Sequence, residues 1–539
     1  MPDSPFVQVC SSGNLADYVR RSAESGPDRP ALRWQDAVIT WGELNSRVDE
    51  MADRMTGLAL PASDDHPARV AVALPNTPDF VVALFGILRA GLVAVPVNPG
   101  YTARELRHVL ADSGAAALLG TPDVLATVDG IRSELPALRE VYAGLPPPGE
   151  RQAQAEEGAQ GTAGGDDLAV LLYTSGTEGN PKGAMLPHRA LIANHVQLAQ
   201  IEPPLIRADD TMLLALPLFH AYGLNSGLGA VVFHGACGVL VERFDPADTL
   251  DLIARHHVTA VIGVPAMYVG WSLLPDLGEL MASVRLAICG AAPLEPATAG
   301  RFTEATRHPV VVGYGLTETA PVVTSTLASP VHKIGSIGRP IPGVELILRG
   351  ANGEELWRDG EPADDEDAEL GFEAPGSPGT DPGEIVVRGE NLFLGYWPDG
   401  REGPDTDGWW ATGDIAYADE DGDLFIVDRL GELILVSGFN VYPHEVELVL
   451  DAHPSVAESA VLGVPHPFTG QTVKAYVVRA PDTAASAEEI MRHCERNLAR
   501  FKCPTSIEFV PGLPHSPTGK VRKTALRART VLLEAAPDE

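Results

Sequence analysis

Cysteine is scarce, with five in 539 residues (Cys10, Cys237, Cys289, Cys494, Cys503) and no Cys-x-x-Cys pair. That usage supports neither a disulfide framework nor a structural zinc site, and it suits a reducing compartment. Positive charge is short as well. Thirty-nine Lys and Arg stand against 73 Asp and Glu, a formal net charge of −34. Nucleic acid and anionic membrane are therefore poor partners, and an anionic ligand must be held by local backbone nests and a few lysines. No basic-then-apolar leader opens the chain, so a cytoplasmic location is expected. Long apolar runs are missing too. Residues 80–97 are broken by Arg89 and Pro96, and residues 222–241 carry Asn225, Ser226, His234 and many glycines. Both read as buried helix and strand, and no transmembrane segment is expected. No Gly-x-Ser-x-Gly elbow and no His-Glu-x-x-His is found, which leaves hydrolase and zinc-protease chemistry without a carrier.

What is present is a globular composition, 45% hydrophobic and 21% charged, on a chain long enough for more than one domain. Apolar strands (70–74, 93–96, 115–119, 212–216, 238–241, 258–263, 286–289) alternate with helical periodicity (80–90, 103–113, 224–234, 247–256). Such alternation predicts parallel sheets with crossover helices. Ahead of it, residues 15–58 show helical periodicity, broken at 25–30 and followed by a hairpin-like segment over 31–40. Residues 152–165, rich in Ala, Gly, Gln and Glu, read as a flexible connector. From 334 to 396 the chain becomes Gly- and Pro-punctuated strand, and within it 361–384 is an acidic stretch that reads as an exposed insertion. A last unit of about 110 residues, a usual size for an independent domain, carries strands at 433–436, 457–464 and 473–478 and helices at 443–452 and 487–499.

The stretch with the most chemistry is 171–188, where a buried strand empties into Thr174-Ser175-Gly176-Thr177-Glu178-Gly179-Asn180-Pro181-Lys182-Gly183. Backbone N–H groups, hydroxyls and a lysine can cradle a polyphosphate there. No Gly-Lys-Ser/Thr closes it onto a helix, so it is not the common P-loop. The residues alone read equally as a polar turn after a strand. Further segments carry polar groups at useful spacing. Gly290-Ala291-Ala292 follows a strand and lets a flat ring approach the backbone. Tyr314-Gly315-Leu316-Thr317-Glu318-Thr319 combines a stacking aromatic, a hydroxyl and a carboxylate for a hard cation. Asp414 can accept two hydroxyls of a sugar, with Arg429 in support, although a surface ion pair explains both as well. Lys520, in Pro517-Thr518-Gly519-Lys520, can reach across a cleft from a turn.

In their order along nearly the whole chain these segments resemble the signature blocks of the adenylate-forming superfamily, closest to the fatty-acyl-CoA synthetases. The resemblance implies an α/β fold. Residues 1–429 would form a large domain of stacked mixed sheets with crossover helices and a β-barrel-like subdomain, and 430–539 a small mobile α/β domain. It implies ATP and CoA as co-substrates, with Mg2+ on Thr174 and Glu318. The nucleotide would lie against Thr174, Ser175, Gly176, Thr177, Gly179, Lys182, Gly290, Ala291, Ala292, Tyr314, Gly315, Thr317, Asp414 and Arg429, and Lys520 would bridge the acid and the α-phosphate. His220, Gly227 and Gly313 would border the acyl pocket, with Gly229 helping to open an apolar tunnel. Gly431 falls at the hinge, where Lys or Asp is usual, and Ser437, Gly438 and Phe439 would border the pantetheine path. One departure lies in the loop itself: Glu178 stands where another Thr is usual, and a carboxylate beside triphosphate is unfavourable unless it points away or helps hold the metal.

The expected reaction is activation of a medium- or long-chain fatty acid as acyl-AMP, followed by transfer to CoA. An aryl acid, or a carrier protein as acceptor, is the alternative, and a non-catalytic binding homologue the remote one. A homodimer stays open.

Overall fold

The computed structural model describes residues 13–62, 66–147, 163–174, 181–350, 352–359, 361–362, 379–429, 432–436, 439–466, 470–498, 500–516, 519–523 and 525–527. The connector expected over 152–165 and the acidic insertion therefore fall largely outside the described residues. The chain divides into two compact units, one of Met1–Gly176, Asn180–Glu345 and Arg388–Trp410, the other built mainly of Leu346–Val387 and Ala411–Glu539.

The first unit holds two sheets. A six-stranded sheet has the order Glu140–Ala143, Ala117–Gly120, Arg69–Ala73, Val93–Pro96, Leu168–Thr174, Lys182–Pro187. Its first five strands run parallel and the last returns antiparallel. A nine-stranded sheet has the order Arg339–Pro340, Val322–Ser325, Val310–Gly315, Leu286–Cys289, Ala260–Gly263, Thr211–Leu214, Cys237–Leu240, Pro30–Trp34, Ala37–Thr40. Its centre is parallel, as the strand–helix alternation requires, with antiparallel strands at both edges. Asn76 ties the sheets together, its amide donating to the carbonyls of Leu214 (3.2 Å) and Leu216 (2.8 Å).

The helices start where local chemistry says they should. Thr40 with Glu43, and Thr102 with Glu105, form capping boxes for Trp41–Gly57 and Ala103–Ser113. Helix Pro78–Arg89 is buried on nearly every side, which explains its almost unbroken apolar run. It meets Trp41–Gly57 at Gly86, where a Cβ would lie 2.3 Å from Met51.

The second unit contains a six-stranded sheet, Glu361–Pro362, Glu355–Arg358, Val344–Arg349, Gly383–Gly389, Trp410–Ala418 and Leu424–Arg429, in the place of the expected barrel-like subdomain. It also contains a five-stranded sheet formed by Phe439–Val441, Ile434–Val436, Gly470–Arg479, Val456–His466 and Ser506–Phe509. Period-two alternation assigns its faces. Val461, Val473, Ala475 and Val477 pack with helices Pro443–Asp451 and Ala487–Asn497, whereas Ala460, Leu462 and Tyr476 face a second cluster with Val510, Leu513 and Leu526.

The helix expected over 224–234 differs. Tyr222–Gly229 is a π-helical turn, and only Ala230–His234 is α-helical. Gly223 permits this, since a Cβ there would lie 2.2 Å from the Pro217 carbonyl oxygen. The return strand Lys182–Pro187 was not anticipated from the sequence, because Gly183 and Pro187 mask its apolar character.

Candidate active site

The site begins where two strands are forced to end together. Leu168–Thr174 is buried up to Leu172 and pairs with the return strand so that Thr174 lies opposite Lys182 and Tyr173 opposite Gly183. The loop residues Ser175, Gly176, Thr177, Glu178 and Gly179 lie outside the described residues, but the base of the loop is fixed. The Tyr173 hydroxyl donates to Asp112 Oδ2 at 2.6 Å, and His108 Nε2 lies 2.8 Å from the Pro181 carbonyl oxygen. Burial, with Asp112 adding to it, pushes the Tyr173 phenol far above its ordinary pKa, so it stays a donor.

Lys182 and Glu318, 136 positions apart, are joined through a residue that the sequence did not single out. The Tyr396 hydroxyl donates to Glu318 Oε1 at 2.6 Å, and the Lys182 ammonium lies 5.2 Å from the centre of the same ring. Lys182 also contacts both carboxylate oxygens of Glu402, at 2.7 and 2.9 Å. The segment carrying Tyr396 is hydrogen-bonded to the return strand. Leu394 N donates to Met185 O (2.9 Å), Met185 N to Gly395 O (3.1 Å) and Trp397 N to Gly183 O (2.8 Å), while Phe393 N donates to the Glu318 carbonyl (2.9 Å). No local signal in the sequence marks Tyr396 or Glu402; an aromatic after glycine and an acidic residue in a polar stretch are both common.

Glu318 is 7% exposed and sits on the short turn Thr317–Thr319 that follows strand Val310–Gly315. Asn391 holds this turn through the Thr319 carbonyl at 2.8 Å. Gly315 is demanded by the turn, since a Cβ there would lie 1.8 Å from the Pro321 carbonyl oxygen. Strand Leu286–Cys289 runs parallel beside Val310–Gly315, with Cys289 opposite Val312. Gly290, Ala291 and Ala292 thus emerge next to Gly313 and Tyr314 at the carboxyl ends of parallel strands, where ligands of open α/β sheets bind. Ala291 adopts φ +70, a left-handed conformation that costs a non-glycine residue roughly 1–2 kcal/mol.

Below this edge lies Tyr222. A Cβ on Gly290 would sit 3.1–3.3 Å from its ring and hydroxyl, and burial raises its phenol pKa well above the ordinary value. Tyr222 as a whole is half-buried, while its hydroxyl oxygen keeps almost no accessible surface. Neither the Tyr222 hydroxyl nor that of Ser226, four residues on, has a protein hydrogen-bond partner among the described residues. His220 is half-buried and packs on Phe219, with ring centres 4.9 Å apart. Gly313 has room beside it, the nearest atom to a Cβ there being Thr324 O at 3.5 Å. The two other glycines do not widen a tunnel. The space beside Gly227 is taken by Ile262 and Leu214, and that beside Gly229 by Asn225 and His195.

In the second unit, Asp414 (4% exposed) lies directly opposite Arg429 on neighbouring antiparallel strands. Phe439 begins the strand Phe439–Val441, while Gly431, Ser437 and Gly438 lie outside the described residues. Lys520 is exposed on a turn closed by Ser516 N donating to Lys520 O (2.8 Å) and Gly519 N to Ser516 O (2.9 Å).

This geometry has counterparts among known proteins. Residues 19–397 match the family described as AMP-binding enzyme, and residues 445–520 match the AMP-binding enzyme C-terminal domain. The chain belongs to the AMP-binding, adenylate-forming enzymes. A long-chain-fatty-acid–CoA ligase of Yersinia pestis is 34% identical over 563 aligned residues, covering 96% of this chain and 94% of that one. A feruloyl-CoA synthase of an Amycolatopsis species is 36% identical over 519, covering 96% and 99%. The crystal structure of ATP-bound MatB from Rhodopseudomonas palustris is similar with a TM-score of 0.82 at 30% identity, covering 95% of this chain and 98% of that one. The AMP-binding enzyme is accordingly an acid–thiol ligase with the expected mixed α/β architecture, a large N-terminal and a small C-terminal domain. Among the described residues no helix is long and apolar enough to cross a membrane.

Proposed function

We propose that this ligase couples CoA to a compact, ring-bearing carboxylic acid with a hydrogen-bonding substituent, by way of an acyl-adenylate. The observation that carries the choice of acid is a pair of buried hydroxyls without a protein partner among the described residues, that of Tyr222 beside Gly290 and that of Ser226 four residues on. A buried hydroxyl without a partner costs about 1–3 kcal/mol. A hydroxylated or alkoxylated ring offers the missing partner, whereas an alkyl chain leaves both unsatisfied. The side chains that fill the space beside Gly227 and Gly229 weigh the same way. The feruloyl-CoA synthase relative, 36% identical over nearly its whole length, is in keeping with this reading.

In the first step the acid's carboxylate oxygen attacks the α-phosphorus of ATP and the bond to pyrophosphate breaks. Lys182 serves the departing phosphates, and Asp414 with Arg429 the ribose. Lys520, brought by the C-terminal domain turning about Gly431, offsets charge building on the α-phosphate. Lys520 then withdraws so that the pantetheine arm can enter. In the second step the CoA thiol loses its proton to solvent as its sulfur attacks the acyl carbon, and AMP leaves.

Glu318 and Thr174 fit Mg2+ because they offer oxygen alone. Glu318 has one carboxylate oxygen engaged by Tyr396, which sets the orientation of the other. Magnesium is commonly held by one or two protein oxygens plus substrate phosphates. When bound, the ion lowers the repulsion between the incoming carboxylate and the phosphates.

A second reading, a medium- or long-chain fatty acid, is favoured by the Yersinia pestis relative at 34% identity over 96% of this chain. Pyrophosphate release across hydroxycinnamic, benzoic and C8–C18 fatty acids separates the two. The proposal expects kcat/KM to be highest for hydroxylated aryl acids. Tyr222→Phe should then lower that value by about 5- to 150-fold, the equivalent of 1–3 kcal/mol, and leave unsubstituted aryl acids nearly unchanged. Preference for fatty acids that Tyr222→Phe leaves intact would overturn it.

A further inference from the structure

Lys520 stands on a hairpin whose stem is held from two sides. His515 pairs with Val521 across the stem, and the His515 ring Nε2 lies 2.6 Å from Glu458 Oε1 on strand Val456–His466. On the other side, three residues past Lys520, the ammonium of Lys523 lies 2.8 Å from both Glu432 Oε2 and Glu447 Oε1, with 13% of its side chain exposed. Glu447 is itself fixed, since its Oε1 accepts from Val461 N at 2.7 Å. Burial works against the charge on Lys523, but the two carboxylates win and its pKa is raised.

Retaining the fold is not the obvious task of this ion triad. Val521 and Leu526 already anchor the hairpin in the apolar cluster with Leu462, Tyr476 and Leu513. A buried ion group adds little net stability once its desolvation is counted; what it does well is fix one register. The register fixed here is specific. Glu432 is the residue immediately after Gly431, and Glu447 lies on helix Pro443–Asp451.

We propose that Lys523 is a positioning residue for adenylate formation: the Glu432–Lys523–Glu447 triad fastens the Lys520 turn to the chain just beyond the pivot, so that pivot and turn move as one piece. The proposal rests on the reading of Lys520 and Gly431 given above. With the triad broken, the turn keeps its fold but loses its fixed distance from the pivot. A misplacement of about 1 Å at a reacting group can cost on the order of 100-fold in rate.

The test uses full-length Lys523→Met, Lys523→Arg, Glu432→Gln and Lys520→Ala. Three quantities are measured on each: pyrophosphate release, thioester formation from supplied acyl-adenylate and CoA, and Tm. Lys523→Met should slow pyrophosphate release by roughly 10- to 100-fold, with KM for ATP and thioester formation unchanged. Lys523→Arg should recover most of the loss, and Glu432→Gln should show the same split in smaller measure. Equal loss in both half-reactions, tracking a fall in Tm, would overturn the proposal as mere destabilisation. So would normal pyrophosphate release in folded Lys523→Met or, if that variant fails to fold, in Glu432→Gln. Lys520→Ala keeps the two layers apart. If it retains pyrophosphate release, the role of Lys520 is wrong and the proposal goes with it. If it loses release while the triad variants do not, only the role of Lys523 fails.

Discussion

Replacing Tyr396 by Phe removes a single oxygen and leaves the ring beneath Lys182. That oxygen donates to Glu318 Oε1 at 2.6 Å, and the carboxylate it holds is 7% exposed, so water is a poor substitute. Hydrogen bonds to charged groups are worth about 1.5–3 kcal/mol. If the bond serves to aim Glu318 in adenylate formation, kcat/KM for pyrophosphate release should fall by about 10- to 150-fold, each 1.4 kcal/mol being a factor of ten. Tyr396→Leu should fall further, because it also removes the face on which the Lys182 ammonium rests at 5.2 Å. At an exposed site that contact adds about 0.5–1 kcal/mol. The assay is coupled pyrophosphate release at saturating acid, with thioester formation from supplied acyl-adenylate as the internal control, which should not change. Since the hydroxyl reaches Glu318 and the ring face reaches Lys182, Phe and Leu form a graded pair. A Tyr396→Phe enzyme at wild-type kcat/KM, beside a Glu318→Gln enzyme that has lost activity, would refute the reasoning.

Two further outcomes follow from charged groups in the fold. Lys182 and Glu402 are both partly exposed, so their ion pair is worth no more than about 1 kcal/mol. Glu402→Gln should leave Tm unchanged and lower KM for ATP by a factor of about two to five, because the lysine no longer leaves a carboxylate to meet phosphate. Burial lowers the pKa of His188 and His234 to about 4 and of His195 to about 3, against 6.5 in the unfolded chain. Folded-state values that are depressed give stability that is complete above pH 6.5 and lost as pH falls toward 4. Each of these groups forfeits about 2 kcal/mol between pH 7 and pH 5. His188 shows why: its Nδ1 accepts from Leu15 N at 3.1 Å and cannot also bind a proton. Tm measured from pH 7 to pH 5 should fall, and His234→Asn should flatten the fall; an unchanged slope would count against the burial argument.

How much of this could be read from the sequence depended on how far apart the interacting residues lie. Helix Ala103–Ser113 and strands Val93–Pro96 and Leu286–Cys289 match the expected bounds to the residue, because capping boxes and apolar runs are local signals. The apolar period over 224–234 predicts a single helix and does not reveal the π-helical turn Tyr222–Gly229, because glycines at 223, 227 and 229 leave that period unchanged while relaxing the backbone. Gly227 and Gly229, together with Gly313, suggest an open tunnel in the sequence; beside the first two the space is instead taken by Ile262, Leu214 and His195, partners 13 to 35 positions away that no pattern announces. Lys182 and Glu318 were legible because each sits in a dense motif. Tyr396, which joins them, is 78 positions from Glu318 and becomes visible only when residues 394–397 zip onto the return strand. Lys523 makes the same point in the opposite direction. In the sequence it is one of three basic residues in the run 520–523 and reads as solvated charge, whereas in the fold two carboxylates from other elements enclose it. A motif therefore tells which groups meet the substrate; which groups hold those in place is decided by sheet register, and it is at such supporting positions that a physical reading of the structure adds most.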